Sequence, residues 1–243
     1  MKKVTFYAFS LILAFVFTTS AWGASTASAA AKKEYLVISE NVFYYGQLKN
    51  GKPNGKGTMT WYPSKTYSGD WVDGKRTGKG KFVYRYKSDR NDFVITYDGE
   101  WKNDLKVGNG SYFTKVADHN GKVESHKVQF GTFNNDRFAA GFSVAHSVGD
   151  IPYSFNYKDS RVNLQLFGTN ANMKKVWKEG KFDTIQYTKD GVTKEYKASL
   201  NQNYDPSTVK KNKAVLKSLQ GMQAEINPYL DKLERLSKQV PLT

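Results

Sequence analysis

A mainly β fold, an elongated antiparallel sheet of tandem hairpins ending in an α-helical segment, follows from three features of this sequence. A glycine and aromatic pattern recurs between Tyr44 and Phe113. Alternating, strand-like stretches continue beyond it to Tyr204. Residues 205–243 then change to helical spacing. Recurrence at a fixed interval of 20–50 residues is the mark of a repeat architecture.

The first copy reads Tyr44-Tyr45-Gly46, then Gly51, Gly55 and Gly57; the second reads Tyr67-Ser68-Gly69, then Gly74, Gly78 and Gly80. A third has Tyr97-Asp98-Gly99, Gly108 and Gly110, with Asp104 in place of the middle glycine. Each unit reads as a hairpin. Tyr67 to Trp71 alternates large and small residues, Gly74 to Gly78 reads as a turn because glycine reaches positive φ, and Gly80 to Tyr84 returns as an aromatic, β-branched strand. Tyr67 and Trp71 share a strand face. Gly69 and Gly80 lie inside strands, where glycine serves close approach by a backbone or a ring. One hairpin is marginal in water, so the copies must stack and bury a continuous aromatic row.

These residues resemble the MORN repeat (membrane occupation and recognition nexus), whose pattern is roughly Tyr-x-Gly-x-Trp-x-x-Gly-x-x-x-Gly-x-Gly. Tyr67, Gly69, Trp71, Gly74, Gly78 and Gly80 match every fixed position, and copy one departs only at Leu48. Copy three keeps Tyr97, Gly99, Trp101, Gly108 and Gly110, and a weaker fourth has Phe130, Gly131, Phe133 and Gly141. Tyr153 to Tyr157 and Trp177 to Gly180 read as decayed copies. The resemblance covers about Tyr44 to Phe142 and implies a hairpin array there, within a repeat domain of residues 32–142 that includes a capping strand; through the family's name it implies membrane association. It does not fix function, since fold alone does not.

Taken in order, residues 1–31 have the form of a secretory signal peptide. Lys2 and Lys3 precede a mostly apolar Val4 to Phe17, and Ala-x-Ala cleavage is offered at Ala29 or nearby. The alternative is an uncleaved anchor, although the apolar run is short for a span. Losing Lys2 and Lys3 lowers the formal charge from +15 to +13. Aromatics make up 15% against 39% hydrophobic residues, which favours one sheet with aromatic stacking over a thick aliphatic core. Tyr35 to Ile38 reads as a strand capping the first repeat. Two longer connections, centred on Lys87 to Asp92 and on Asp118 to Gly121, fall at equivalent places and are expected at one sheet edge; Asn120-Gly121 signals a type I′ hairpin. Residues 143–204 read as a divergent β continuation, with a turn at Lys189 to Val192. In 205–243, Asp205 caps a helix beginning at Pro206. Val215, Leu219, Met222, Ile226, Tyr229, Leu233, Leu236 and Val240 recur in 4-3 spacing, interrupted at Pro228, where a kink or split into two helices is expected. The seam serves either as a cap on the sheet or as a surface for a protein partner.

No catalytic constellation is present in the sequence. The absence of cysteine removes disulfides, thiolate metal sites and lipidation through an N-terminal cysteine. His119 and His126 flank the Asn-Gly hairpin with Asp118 and Glu124 nearby, a solvated loop rather than a metal site. The glycines belong to hairpins and lack the following helix of a phosphate loop, so no cofactor is expected. Lys52, Lys56, Lys75, Arg76 and Lys79 recur at the repeat period and line up along one edge on stacking; they are either soluble turn residues or a stripe for a polyanion. Anionic phospholipid and wall polymer fit a secreted chain, and nucleic acid does not. Trp61, Tyr62, Trp71, Tyr84, Trp101 and Tyr112 either pack together or stack on sugars. The leading expectation is a secreted, non-enzymatic binding or scaffold protein of the cell envelope. The alternative is a cell-wall-acting enzyme or glycan-binding module, sited in 144–204 or on the aromatic face. N-terminal sequencing of exported protein should find a start between Ala30 and Lys32; an intact Met1 on membrane-bound protein would identify an anchor instead.

Overall fold

The computed structural model describes residues 32–202 and 204–242; the segment expected to be a signal peptide, with its expected cleavage position, lies outside the described residues. Thirteen strands form one antiparallel sheet in sequence order. They are β1 (Glu34–Ser39), β2 (Val42–Lys49), β3 (Lys52–Trp61), β4 (Lys65–Val72), β5 (Lys75–Lys87), β6 (Asn91–Lys102), β7 (Leu105–Asp118), β8 (Val123–Asn134), β9 (Arg137–Ser147), β10 (Tyr153–Lys158), β11 (Val162–Gly168), β12 (Thr184–Lys189) and β13 (Val192–Lys197). Helix α1 (Met173–Glu179) lies between β11 and β12, and α2 (Pro206–Gly221) and α3 (Gln223–Ser237) follow the sheet.

The repeat glycines form a ladder row across eight strands, from Gly46 through Gly57, Gly69, Gly80, Gly99, Gly110 and Gly131 to Gly141. The row leaves a gap into which the tyrosines fold. A Cβ built on Gly80 would lie 2.2 Å from the Tyr67 hydroxyl, and one on Gly57 would lie 2.1 Å from that of Tyr44. Each hydroxyl donates to a carbonyl three residues on: Tyr44 to Gln47, Tyr67 to Asp70 and Tyr97 to Glu100. Burial pushes the Tyr97 phenol up to about 12 and Tyr67 higher still, so both stay protonated donors. Tryptophans interleave with the tyrosines edge-on, in the order Tyr44, Trp71, Tyr67, Trp101, Tyr97, Phe133, with centroids 5.0–5.5 Å apart. Such pairs contribute about 0.5–1.5 kcal/mol each beyond area burial. The indoles also tie copies together: Trp71 Nε1 donates to Gly57 O at 3.0 Å and Trp101 Nε1 to Gly80 O at 2.9 Å.

The segment Gly74 to Gly78 is not one turn. Asp73 and Gly74, both at positive φ, make a two-residue turn, and Asn50-Gly51, Asn103-Asp104, Asn135-Asp136 and Asp190-Gly191 repeat it. That twist matches the strands, which is why type I′ turns suit hairpins. Gly78 instead sits in a bulge at φ +57, where the register shifts. The side chain opposite holds the bulge: Lys56 N donates to Gln47 Oε1, Lys79 N to Asp70 Oδ2 and Asn109 N to Glu100 Oε1. A Cβ at Gly55, Gly78 or Gly108 would strike that same side chain.

The sheet exchanges its buried face midway. The row Tyr44, Met59, Tyr67, Phe82, Tyr97, Tyr112 continues as Gln129, Ser143, Asn156, Gln165, Gln186, Glu195. On the other face Thr60, Thr66, Val83 and Thr96 give way to Phe113, Val128, Val144, Phe155, Leu166, Ile185 and Tyr196. There the helices supply Trp177, Leu219, Ile226, Leu230, Leu233 and Leu236 to an aliphatic core. The thin aromatic sheet expected from composition therefore describes the first half only. The 4-3 seam packs against the sheet, with Val215, Met222 and Tyr229 partly buried at its margin.

Several expectations need correction. Trp177 to Gly180 is no decayed repeat but part of α1, which Asn172 caps through Lys175 N and which ends at Gly180 in the left-handed region. Tyr153 to Tyr157 falls in β10 without repeat glycines. The helical segment breaks at Met222 (φ −90, ψ 13), after Gly221, rather than at Pro228, which lies inside α3. Glycine's poor helix propensity places the break. Asn120-Gly121 makes no type I′ turn: Asp118 Oδ1 accepts from Asn120 N and Lys122 N and shapes a wider loop. In the fourth copy Gln129, not Phe130, occupies the tyrosine position; Phe130 faces the helices, beneath Lys232 at 4.0 Å. The two long connections do meet at one edge, where His119 Nδ1 lies 2.9 Å from Asp92 Oδ1.

A Cβ on Gly69 would lie 2.5 Å from Gly80 Cα and 2.6 Å from Lys79 O, both backbone. Gly69→Ala should therefore cost about 1–3 kcal/mol by overpacking; thermal or urea unfolding with an unchanged midpoint would contradict the close approach.

Candidate functional site

The expected basic stripe is divided by the fold into two groups. Arg76 belongs to a clamp between copies. Its side-chain Nε donates to Asp104 Oδ1 at 2.9 Å, its Nη2 to Asp104 O at 3.0 Å and its backbone N to Asp104 Oδ1 at 3.1 Å. Asp104 N returns a bond to Arg76 O. The guanidinium also covers the Trp101 ring at 4.4 Å, a cation–π contact that buries the arginine stem. One copy later Lys106 and Asp136 repeat the clamp, with Lys106 N and Nζ each 3.1 Å from Asp136 Oδ1. Partial burial would raise the Asp136 carboxyl, but these bonds hold it below the usual range. One copy earlier, Gly74 N donates to Pro53 O. There the proline has no N–H to give and the glycine no carboxylate to receive one, so the backbone bond stands alone.

Lys56 and Lys79 face carboxylates. Lys56 opposes Asp70 on the neighbouring strand and pairs with it, and Lys79 opposes Glu100. Lys56, Asp70, Lys79 and Glu100 thus alternate in sign across the sheet rather than forming a cationic row. Lys52 and Lys75 are exposed beside their turns. Lys49, Lys102 and Arg137 join them at the same edge, each exposed and flanking one of the two-residue turns. Among the described residues these five form no ion pair, whereas Asp104 and Asp136 are engaged by Arg76 and Lys106. Lys49, Lys102 and Arg137 lie outside the glycine-flanked Gly-Lys pattern of Lys52 and Lys75; their sequence signal is the turn dipeptide beside each, Asn50-Gly51, Asn103-Asp104 and Asn135-Asp136.

A second concentration of positive charge lies on α2. Lys210, Lys213 and Lys217 recur at helical spacing on its exposed side, and the helix contains no acid. The 3-4 spacing of these lysines is legible in the sequence, on the same segment as the apolar seam.

Trp71 and Trp101 are each 3% exposed and belong to the aromatic core; they are not available to sugars. Trp61 is half-buried at the margin of that core, and Tyr62 is exposed. Tyr44, Gly46, Gly51, Gly55, Gly57, Tyr67, Gly69, Gly74, Gly78, Gly80, Tyr97, Gly99, Gly108 and Gly110 fall in the seat, bulge or turn positions already described.

The enzymatic alternative required convergent acids in 144–204. Asp159 accepts from Arg161 N and Val162 N, and Asp190 is held by the Arg161 side chain. The Tyr157 hydroxyl first, with those backbone donors, keeps Asp159 low; Arg161 keeps Asp190 low, and Lys181 does the same for Glu179. General acids need the opposite shift. His119 and His126 do not meet, since His126 opposes His146 on β9. Among the described residues no group of three or more His, Asp or Glu is placed to hold a metal. No helix there is long and apolar enough to cross a membrane.

Comparison with known proteins finds the MORN repeat at residues 44–64, 67–85 and 97–114. These segments coincide with the tyrosine, glycine-pair and bulge units. MORN repeat-containing protein 3 of Xenopus laevis is 30% identical over 99 residues, covering 40% of this chain and 41% of that protein. Alsin from Rattus norvegicus and from Homo sapiens is 35% identical over 69 residues, covering 28% of this chain and 4% of each Alsin. The chain thus spans well under half the length of these relatives.

Proposed function

From the premise that this chain carries three MORN repeats, we propose that it is a secreted, non-enzymatic binding or scaffold module of the cell envelope. It engages anionic lipid head groups or wall polymer through the cationic turn edge of its sheet. The observation that carries this reading is the set Lys49, Lys52, Lys75, Lys102 and Arg137, exposed at successive turns without ion-pair partners among the described residues. Successive turns on that edge are two strands apart, roughly 10 Å. This is close to the Debye length of ~8–10 Å at ordinary salt. A small anion would therefore meet one or two cations, while a polyanion lying along the edge meets them all. Single exposed pairs contribute only ~0.2–1 kcal/mol, so affinity depends on their number and falls with salt. On the face opposite the aromatics, Thr58 pairs with Ser68 and Thr60 with Thr66, and Lys81 and Asp98 continue the first row across the sheet.

Cosedimentation with phosphatidylserine vesicles, and separately retention on teichoic acid, tests the reading and distinguishes the two sources. The combined change Lys52→Glu, Lys75→Glu and Lys102→Glu should lower binding at least ~tenfold, about 1.4 kcal/mol, with unfolding unchanged. A Lys210→Glu, Lys213→Glu and Lys217→Glu variant should retain most of it. Binding that survives the turn variant, is lost only in the α2 variant, or ignores salt contradicts the turn-edge mechanism.

A further inference from the structure

The described sheet ends at β1 on one side and at β13 on the other. The chain treats these two free sides differently. On β13, Asn212 of α2 takes up both backbone groups of Lys197, donating to its O at 2.8 Å and accepting from its N at 3.3 Å. The middle of that strand carries Lys194 and Glu195. Cover and charge are the usual ways of blunting a free strand. β1 has no such device at its centre: Tyr35 to Ile38 contains neither a charge nor a proline.

The backbone of β1 is aimed outward at two apolar residues. Tyr62 N donates to Asn41 O at 2.8 Å, which sets the alternation of β2. Phe43 and Tyr45 bond to β3, and Val42 and Tyr44 turn toward β1. Leu36, opposite Tyr44, therefore bonds inward, and the N–H and C=O of Tyr35 and Val37 point off the sheet. Tyr35 and Val37 are also 81% and 69% exposed. They stand opposite Tyr45 and Phe43 on one face, and the Tyr35 and Tyr45 rings lie 4.5 Å apart.

We infer that β1 pairs antiparallel with β1 of a second copy of this chain, about a two-fold axis at Leu36. Such an axis, perpendicular to the sheet, keeps every residue on its own face. It sets Tyr35 of each copy opposite Val37 of the other, so their outward backbone groups satisfy one another. The side chains form an aromatic and β-branched cross-strand pair, a favourable combination, and the two Tyr35, Val37, Phe43, Tyr45 clusters become continuous. The same register brings the Lys32-Lys33 end of each strand beside Glu40 of the other copy. Centring on Val37 instead would set Glu34 beside Glu40, like against like. A strand from an unrelated protein could also extend a free side. The agreement of hydrogen bonding, apolar pairing and charge in one self-complementary register points to a second copy. With β13 blunted and β1 used once, the assembly closes at two chains. The free side of β1 is not the cationic turn edge, so the two readings stand or fall separately.

Sedimentation velocity of the purified protein over a range of concentrations tests it, and should show a reversible shift to twice the chain mass. Val37→Pro removes an N–H that bonds to nothing within the chain and should weaken dimerisation at least ~tenfold, with the unfolding midpoint little changed. Lys52→Glu with Lys75→Glu should leave it intact. The natural chain has no cysteine, so introduced ones report the register. Leu36→Cys sets two thiols across the axis, where Cα atoms of a non-hydrogen-bonded pair are about 4.5 Å apart and within disulfide reach. It should crosslink on oxidation, and Val37→Cys should do so far less. A protein that stays monomeric at every concentration, a folded Val37→Pro protein that dimerises as well as the natural chain, or crosslinking at Val37→Cys in preference to Leu36→Cys would each overturn the proposed pairing.

Discussion

The array depends on one steric arrangement: a tyrosine ring lies where two cross-strand glycines have no side chains. The Gly69 and Gly80 pair leaves the gap, Tyr67 fills it, and its hydroxyl finds the Asp70 carbonyl. Without the ring, the glycine pair would be a weak point in the ladder, because glycine contributes no packing and carries extra unfolded-state entropy. Without the glycines, the ring has nowhere to lie. The indole of the next strand position then closes the stack and bonds to the preceding copy. The turn clamps of Arg76 with Asp104 and Lys106 with Asp136 add a further link between copies.

The stack ends where the tyrosine is replaced. At β8 the ladder row holds Gln129, and the face that was aromatic becomes polar. Phe113 and Val128 begin an apolar row on the reverse face, and α1, α2 and α3 cover it. One continuous hydrogen-bonded sheet thus spans two cores on opposite sides. The helices serve the half whose sequence lacks the tyrosine and glycine seat. In the first half the face opposite the aromatics stays open, with Thr58, Ser68 and Thr66 among its residues.

Much of this was legible in the sequence. Gly46, Gly57, Gly69 and Gly80 announced close approach because glycine inside a strand has few other uses, and the Tyr44, Tyr67 and Tyr97 period gave the hairpin array. The 4-3 seam ending at Val240 gave the helical segment, and its burial on the sheet decided between the two uses left open. What the sequence hid depends on pairing across distance. Arg76 reads as a free turn cation until Asp104, 28 residues on, is brought against it. Lys56 reads as cationic edge until Asp70 stands opposite. Trp71 and Trp101 carry no mark that separates a stacked core ring from an exposed one. Helix α1 was masked by its resemblance to a Trp-x-x-Gly fragment, since Gly180 serves a left-handed helix end as readily as it would a repeat turn.

A double-mutant cycle between Tyr67 and Gly80 tests the seat most directly. A Cβ on Gly80 would meet the Tyr67 hydroxyl, Cζ and Cε2 at 2.2–2.5 Å, and the shorter leucine side chain does not reach those positions. Gly80→Ala should destabilise the natural chain by about 1–3 kcal/mol. In a Tyr67→Leu background the same change should cost much less, giving a coupling of about 1 kcal/mol or more. A Gly80→Ala penalty that is the same with tyrosine or leucine at position 67 would contradict the account, since the glycine would then be needed for something other than the ring.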